Sequence, residues 1–285
     1  MTRATALALT LLAAGCMHAP GAGRVPSGAV APDSATVALW HLDEPADDHI
    51  GDAGPFHLNG IAGRATRPIF GRYAGAREFQ READSFIFVP YDPSLQPGTA
   101  FSVEAWVYVT AFGQYEDTPI IARWTEEAQT KTWLFSITGE RQLPPLAQLP
   151  SPGYHLDLVP PRRSGHLLFV FQPLDANLPQ SFLSSEPLEL ARWTHVAATF
   201  DGELVKLWID GRLDSQYASR GRIRGTLAPV LIGNYFDSRR LSSFGGSLTL
   251  DPGADRNPYY AFQGTIDELR ISSVARADFP TVFGR

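Results

Sequence analysis

Cysteine is almost missing from this 285-residue chain: Cys16 stands alone, so no disulfide can close within it. An excess of basic charge is missing too. Lysine and arginine number 24 against 30 aspartates and glutamates, for a formal net charge of -6, and no basic stripe is visible. Neutralising a phosphate backbone takes clustered cations, so no nucleic acid is expected as partner. The seven histidines include no His-Glu-x-x-His run, which argues against a catalytic zinc. There is no Gly-x-Ser-x-Gly elbow, no phosphate loop and no dinucleotide fingerprint. Long apolar runs are reduced to Ala4–Ala14, too short to span a bilayer stably.

The surroundings of Cys16 give it a meaning. Arg3 precedes the apolar stretch, which ends in Leu12-Ala13-Ala14-Gly15-Cys16. A charged start, a short apolar core and small residues before a cut form a secretory signal. The Ala-Ala-Gly-Cys ending resembles the lipobox of bacterial lipoproteins. That resemblance implies a signal peptide over residues 1–16, lipidation of Cys16, export, and anchoring to the bacterial cell envelope through lipid alone. An ordinary secreted protein with a stray thiol is the plainer alternative. Residues 17–34, dense in Gly, Ala and Pro and without apolar periodicity, are expected to form a flexible tether. Fully extended, it reaches about 55–60 Å.

What is present is the material of short strands. Hydrophobic residues make up 44% and charged ones 19%, with Gly 25 and Pro 23 to turn the chain. The pattern is clearest over Ala191–Leu213. Val196, Ala198 and Phe200 share one parity; Val205, Leu207 and Ile209 share another after a break. Period-two alternation marks half-buried strands, and Asp201-Gly202 and Asp210-Gly211 suit tight turns, so three consecutive antiparallel strands are expected. Ala35–Trp40 is apolar on both parities. Phe101–Val109 alternates with Ser102, Glu104, Trp106 and Tyr108 on its second face. Further strands are expected at Phe86–Val89, Ile120–Trp124, Thr132–Ile137, His166–Phe171, Val230–Ile232 and Phe262–Ile271. Gly139–Gly165 interrupts this rhythm with six prolines, and Asp237–Pro258 reads as a second polar loop. With no internal repeat, residues 35–285 are expected to form one all-β domain, an antiparallel β-sandwich.

Several blocks carry more than pattern. Trp40-His41-Leu42-Asp43-Glu44 and Asp52-Ala53-Gly54-Pro55-Phe56-His57-Leu58-Asn59-Gly60 open the series. Arg77-Glu78-Phe79, Phe86–Pro90 and Phe101–Val107 follow. Arg192–Gly202, Leu207–Gly211, Leu231-Ile232-Gly233 and Gly264–Ile271 complete it. In this order they resemble laminin-G-like domains of the concanavalin A-like lectin and glucanase superfamily, which implies a jelly-roll sandwich. The resemblance departs in the Gly139–Gly165 insertion and lacks the disulfide common in animal members. It transfers function poorly, because the fold hosts lectins, glycosidases, lyases and adhesion modules.

Glycosidases of this fold place acids as Glu-x-Asp-x-x-Glu on one strand, which brings two carboxyls about 5–5.5 Å apart. Glu82-Ala83-Asp84 begins that spacing, but Ile87 holds the last position, while Glu104 and Glu268 stand singly. A non-catalytic binding module for glycan or polysaccharide is therefore expected, with an envelope or matrix protein as the alternative partner. His195 is expected to make a structural hydrogen bond on a sheet face, and Trp106, Trp193 and Trp208 to pack as core. Loop aromatics Tyr115, Trp124, Tyr154, Tyr235 and Tyr259 are the candidate sugar platforms, with Asn234 and Asp237 to orient a ligand. Tyr260 and Arg239 lie beside them.

In Phe262–Ile271 the parity breaks between Ile266 and Leu269, so a bulge near Asp267-Glu268 is expected. Relatives of this sandwich often hold a structural calcium through the Asp of the last strand and residues of the first. That resemblance implies a Ca2+ site at Asp267 and Asp43, with Glu44 behind. The alternative is that Asp267 merely accepts backbone hydrogen bonds.

Overall fold

Alternating side chains along short segments bury one face of each strand, and two such faces close on each other. The computed structural model describes residues 28–45, 48–114, 116–124, 131–140, 164–236, 241–244, 247–250 and 260–279. Its strands are β1 (Thr36–Trp40), β2 (His49–Ile50), β3 (Gly60–Ala62), β4 (Arg67–Phe70), β5 (Gly75–Phe79) and β6 (Ile87–Val89). Next come β7 (Phe101–Val109), β8 (Thr118–Arg123), β9 (Trp133–Ile137), β10 (His166–Phe171), β11 (Gln180–Pro187) and β12 (Trp193–Phe200). The last six are β13 (Leu204–Ile209), β14 (Arg212–Ala218), β15 (Val230–Ile232), β16 (Leu241–Phe244), β17 (Ser247–Leu250) and β18 (Gly264–Ser272).

One sheet runs β14-β13-β12-β7-β18-β5-β4, with β1 also paired to β18. The other runs β11-β10-β9-β8-β15-β6-β3-β2. All pairings in both are antiparallel, and the expected sandwich is what forms. Phe79, Val103 and Val107 of the first sheet meet Phe135, Phe169 and Phe171 of the second in a single core. Rings bridge the layers, with Phe171 and Phe200 at 5.0 Å between centroids and Phe101 and Trp133 at 4.9 Å.

The central meander β12–β13–β14 stands as its alternation and turns dictate. Gly202, Asp210 and Gly211 take φ of 94°, 49° and 71°, the left-handed backbone that a tight turn requires. The break in β18 is a bulge. Its register against β7 slips between Asp267 and Arg270, and Glu268 adopts φ of 51°. The slip lets one side of β18 serve two neighbours, β5 along Gly264–Ile266 and β1 along Leu269–Ser272.

Three features differ from the sequence pattern. Strand β11 has no clean alternation because it is a polar sheet edge, paired to β10 on one side and zipped on the other by side chains rather than by a second backbone. Asp214 accepts from the N–H groups of Ser185 and Glu186, and Tyr217 donates its hydroxyl to the Leu183 carbonyl at 2.6 Å. Within Asp237–Pro258, read as a loop, β16 and β17 form a hairpin pairing Leu241 with Leu250. Residues 28–34, grouped with the tether, are fastened to the domain: Val30 N–H donates to Glu268, and Asp33 pairs with Arg276. Cys16 and residues 17–27, like residues 141–163 of the insertion, lie outside the described residues. Among the described residues no helix is long and apolar enough to cross a membrane.

Candidate binding site

The second sheet gathers two of the aromatics picked from sequence. Trp124 follows β8 and Tyr235 follows β15, and both join Ala122 in a small cluster on that sheet's outer face. Both are more than nine-tenths buried. Lys131 stacks on Trp124 at 5.4 Å, and Tyr260 sits edge-on to Tyr235 at 4.9 Å, so these rings face protein. The Asn234 amide is spent on the chain itself: it donates to the Ser85 carbonyl and accepts from the Tyr235 N–H. Tyr115, Tyr154, Asp237 and Tyr259 lie outside the described residues.

Half-buried rings occur instead on the outer face of the first sheet. The registers align Trp193 with Tyr108, Tyr108 with Thr265, Thr265 with Glu78, and Glu78 with Arg67. This row crosses five strands, β12 to β4, and spans about 19 Å at the usual strand spacing. Trp193 and Tyr108 are half-buried with ring centroids 5.7 Å apart, Thr265 is buried, Glu78 is half-buried, and Arg67 is exposed. Sequence reasoning placed Trp193 in the core. The available clue was parity, since Tyr108 and Glu104 share the face of β7 opposite Val107.

The neighbouring rows on this face are closed. Glu104 on β7 accepts from His195 of β12 at 3.0 Å and from Arg270 of β18 at 2.8 Å, all three being buried. Burial pushes the Glu104 carboxyl up, but His195 and Arg270 outweigh it and hold the group below the ordinary carboxylate range. The C-terminal segment covers this network, with Phe279 against both His195 (5.3 Å) and Trp208 (5.4 Å). Trp106 is capped by Tyr73 and by the Arg72 guanidinium, 5.0 Å above its ring. Trp106 and Trp208 are thus buried, but beneath chain segments outside the sandwich.

Asp267 sits at the bulge, fully buried. Its Oδ2 accepts from the Tyr73 N–H, while its Oδ1 has no partner among the described residues. Burial pushes this carboxyl up to about 8; the Tyr73 N–H opposes, and the negative charges of Glu268 and Asp43 add to the rise. Asp43 is exposed and accepts from the Gly75 N–H, so both acids accept backbone N–H groups of the β4–β5 turn. Among the described residues no group of three or more His, Cys, Asp or Glu is placed to hold a metal. A buried orphan carboxylate oxygen next to further negative charge nonetheless suits a hard cation whose remaining ligands are carbonyls or water. Glu268 does not extend the set, because it accepts from Val30 N–H and pairs with His41 at 2.9 Å.

A laminin G family model, described as the concanavalin A-like lectin/glucanases superfamily, matches residues 81–251, more than half of the chain. No curated protein matches. Among solved structures, the binding domain of Paraclostridial Mosquitocidal Protein 1 is similar at TM-score 0.57 and 12% identity. That match covers 85% of this chain and 49% of the toxin domain. Domain 4 of AbnA, a GH43 extracellular arabinanase from Geobacillus stearothermophilus, solved in complex with arabinotriose, is similar at TM-score 0.53 and 17% identity. There the match covers 85% of this chain and 93% of that domain. The botulinum neurotoxin serotype D binding domain follows at TM-score 0.52 and 12% identity, with 85% and 49% covered. The chain thus spans about half the length of the toxin domains. At these identities the likeness is one of fold.

Proposed function

The chain belongs to the concanavalin A-like lectin/glucanases superfamily, and on that premise we propose that it is a non-catalytic module that binds polysaccharide. The observation that carries this reading is the row Trp193–Tyr108–Thr265–Glu78–Arg67. Two adjacent half-buried rings offer stacking surface for the apolar faces of sugars. Beyond them, past the buried Thr265, the Glu78 carboxylate and the Arg67 guanidinium offer hydrogen bonds along the same line. The lone acids weighed as catalysts are spent elsewhere, Glu104 on His195 and Arg270, Glu268 on His41 and Val30. The similar structures, a toxin binding domain and an arabinanase domain solved with arabinotriose, support the same direction.

The test incubates the full chain with insoluble β-glucan, alginate, galactan and arabinan. Retention on at least one, with no new reducing ends or unsaturated products, is expected. Failure to be retained on any would overturn carbohydrate binding. Turnover that vanishes on replacing one carboxylate would overturn the non-catalytic assignment. A module that docks an envelope or matrix protein is the competing reading, favoured by Phe70, which is 94% exposed on edge strand β4.

Two further proposals accompany this one. Cys16 carries lipid and anchors the exported chain to the envelope, as its Ala-Ala-Gly-Cys setting suggests; Cys16→Ser should move the protein from the membrane to the soluble fraction. Asp267 and Asp43 hold a structural calcium, and a ligand bound only by the folded state raises the melting temperature. Chelator should lower it, and Asp267→Ala should abolish that response.

A further inference from the structure

A cavity of about 340 Å³ opens where the ends of β11 and β13 meet the starts of β12 and β14. It lies at the lower end of the roughly 300–1,000 Å³ typical of small-molecule sites. Its walls include Leu188, Ile209 and Leu213, the last 49% exposed at the mouth. Thr194 lines it from β12. That residue pairs with Val107, a core position, so it belongs to the inward face of the sheet. Thr194 is 1% exposed, and its Oγ1 has no hydrogen-bond partner among the described residues. A buried hydroxyl left unpaired carries a desolvation penalty, and a ligand that supplies the missing bond removes it.

The charged groups around the mouth divide into two sets. Asp214 is saturated by the Ser185 and Glu186 N–H groups, and Arg192 is held by Asp210, with Glu189 at 3.9 Å. Arg212 and the Glu186 carboxylate form no hydrogen bond or ion pair among the described residues, which leaves one donor group and one acceptor group open. An anionic ligand would face Glu186 and Glu189; a cationic one would face Arg192 and Arg212. A neutral ring bearing several hydroxyls uses both sets, since each hydroxyl donates and accepts. Its apolar face suits Leu188, Ile209 and Leu213.

We propose that this cavity is a second carbohydrate site, taking a single uncharged sugar ring with a hydroxyl bonded to Thr194 Oγ1. The inference rests on the carbohydrate-binding reading but on a different surface from the Trp193–Tyr108 row. Trp193 and Thr194 point to opposite faces of β12, so the row and the cavity adjoin around one sheet end.

The test uses the full chain with methyl β-glucoside, methyl β-galactoside, methyl arabinofuranoside and methyl β-glucuronide, read by saturation-transfer NMR and calorimetry. At least one neutral glycoside should bind, with the glucuronide weaker. Thr194→Val, close to isosteric, should weaken binding roughly three- to tenfold without lowering the melting temperature. Leu213→Arg, an exposed change at the mouth, should abolish it. Leu227→Ala, an exposed change outside both the row and the cavity lining, should leave it within about twofold. Glycoside binding lost in Tyr108→Ala and unchanged in Thr194→Val would overturn the cavity site. So would a protein that retains polysaccharide but binds no glycoside, leaving the row intact as the functional surface. Preference for the glucuronide would overturn the neutral-ring assignment. Glycoside binding governed by Thr194 without polysaccharide retention would support the cavity and count against the row.

Discussion

Glu104 shows how a single side chain fixes this face of the molecule. A carboxylate removed from water survives only with good partners, and here a histidine and an arginine from two flanking strands supply them. Glu104→Ala leaves Arg270 buried beside no counter-charge, and should cost about 3–5 kcal/mol near neutral pH. The sign with pH follows from the depressed folded pKa. The carboxylate's contribution is complete above its unfolded value, near 4.5, and is lost as pH falls through the lowered folded value. Denaturant titrations from about pH 7 to about pH 3 should therefore show the variant and the parent converging. A constant difference across that range would contradict the assignment. His195 was legible in the sequence as a sheet-face residue; its partner was not, because β7 and β12 lie 91 positions apart at that contact.

At the scale of elements, strands with alternation were readable and sheet edges were not. The parity break at Asp267-Glu268 foretold the bulge because one strand cannot bury two parities on one face. Strand β11 carried no such sign, since it is an edge paired on one side to β10, while its other side is held by side chains of β14 that reach across the gap between sheets. Asp214→Ala should expose this. It removes the acceptor for two backbone N–H groups and should cost about 1–2 kcal/mol. The freed edge should also promote self-association, measurable by sedimentation, because unpaired strand edges template further pairing. A variant that stays monomeric with an unchanged melting temperature would show that the zipper is dispensable. The candidate site was legible only in part for the same reason. Trp124 and Tyr235 do come together, but the half-exposed rings lie on Trp193, read as core from its matched strand, and on Tyr108, placed only on the second face of its strand. Period two says which residues share a face, not which of two faces remains uncovered.

The whole molecule is closed by its two described ends. Arg276 bonds Asp33 through two nitrogens at 2.7 and 2.8 Å, and Arg270 reaches the Ala31 carbonyl. Phe279, 3% exposed, lies over His195 and Trp208. Both segments cover the buried network while the row from Trp193 to Arg67 stays outside their reach. Phe279→Ala should cost about 3 kcal/mol, typical of a buried ring removed from a packed site. It should leave polysaccharide retention intact once the fold is populated; loss of retention in a folded variant would extend the binding face under the C-terminal segment. The central claim is that the row binds polysaccharide, and calorimetric titration of Trp193→Ala and Tyr108→Ala with the retained polysaccharide tests it most directly. Each ring removed should weaken binding by about 1–3 kcal/mol, by analogy with stacking of flat rings on aromatic side chains, with melting temperatures little changed. Affinity unchanged in both variants would contradict the account.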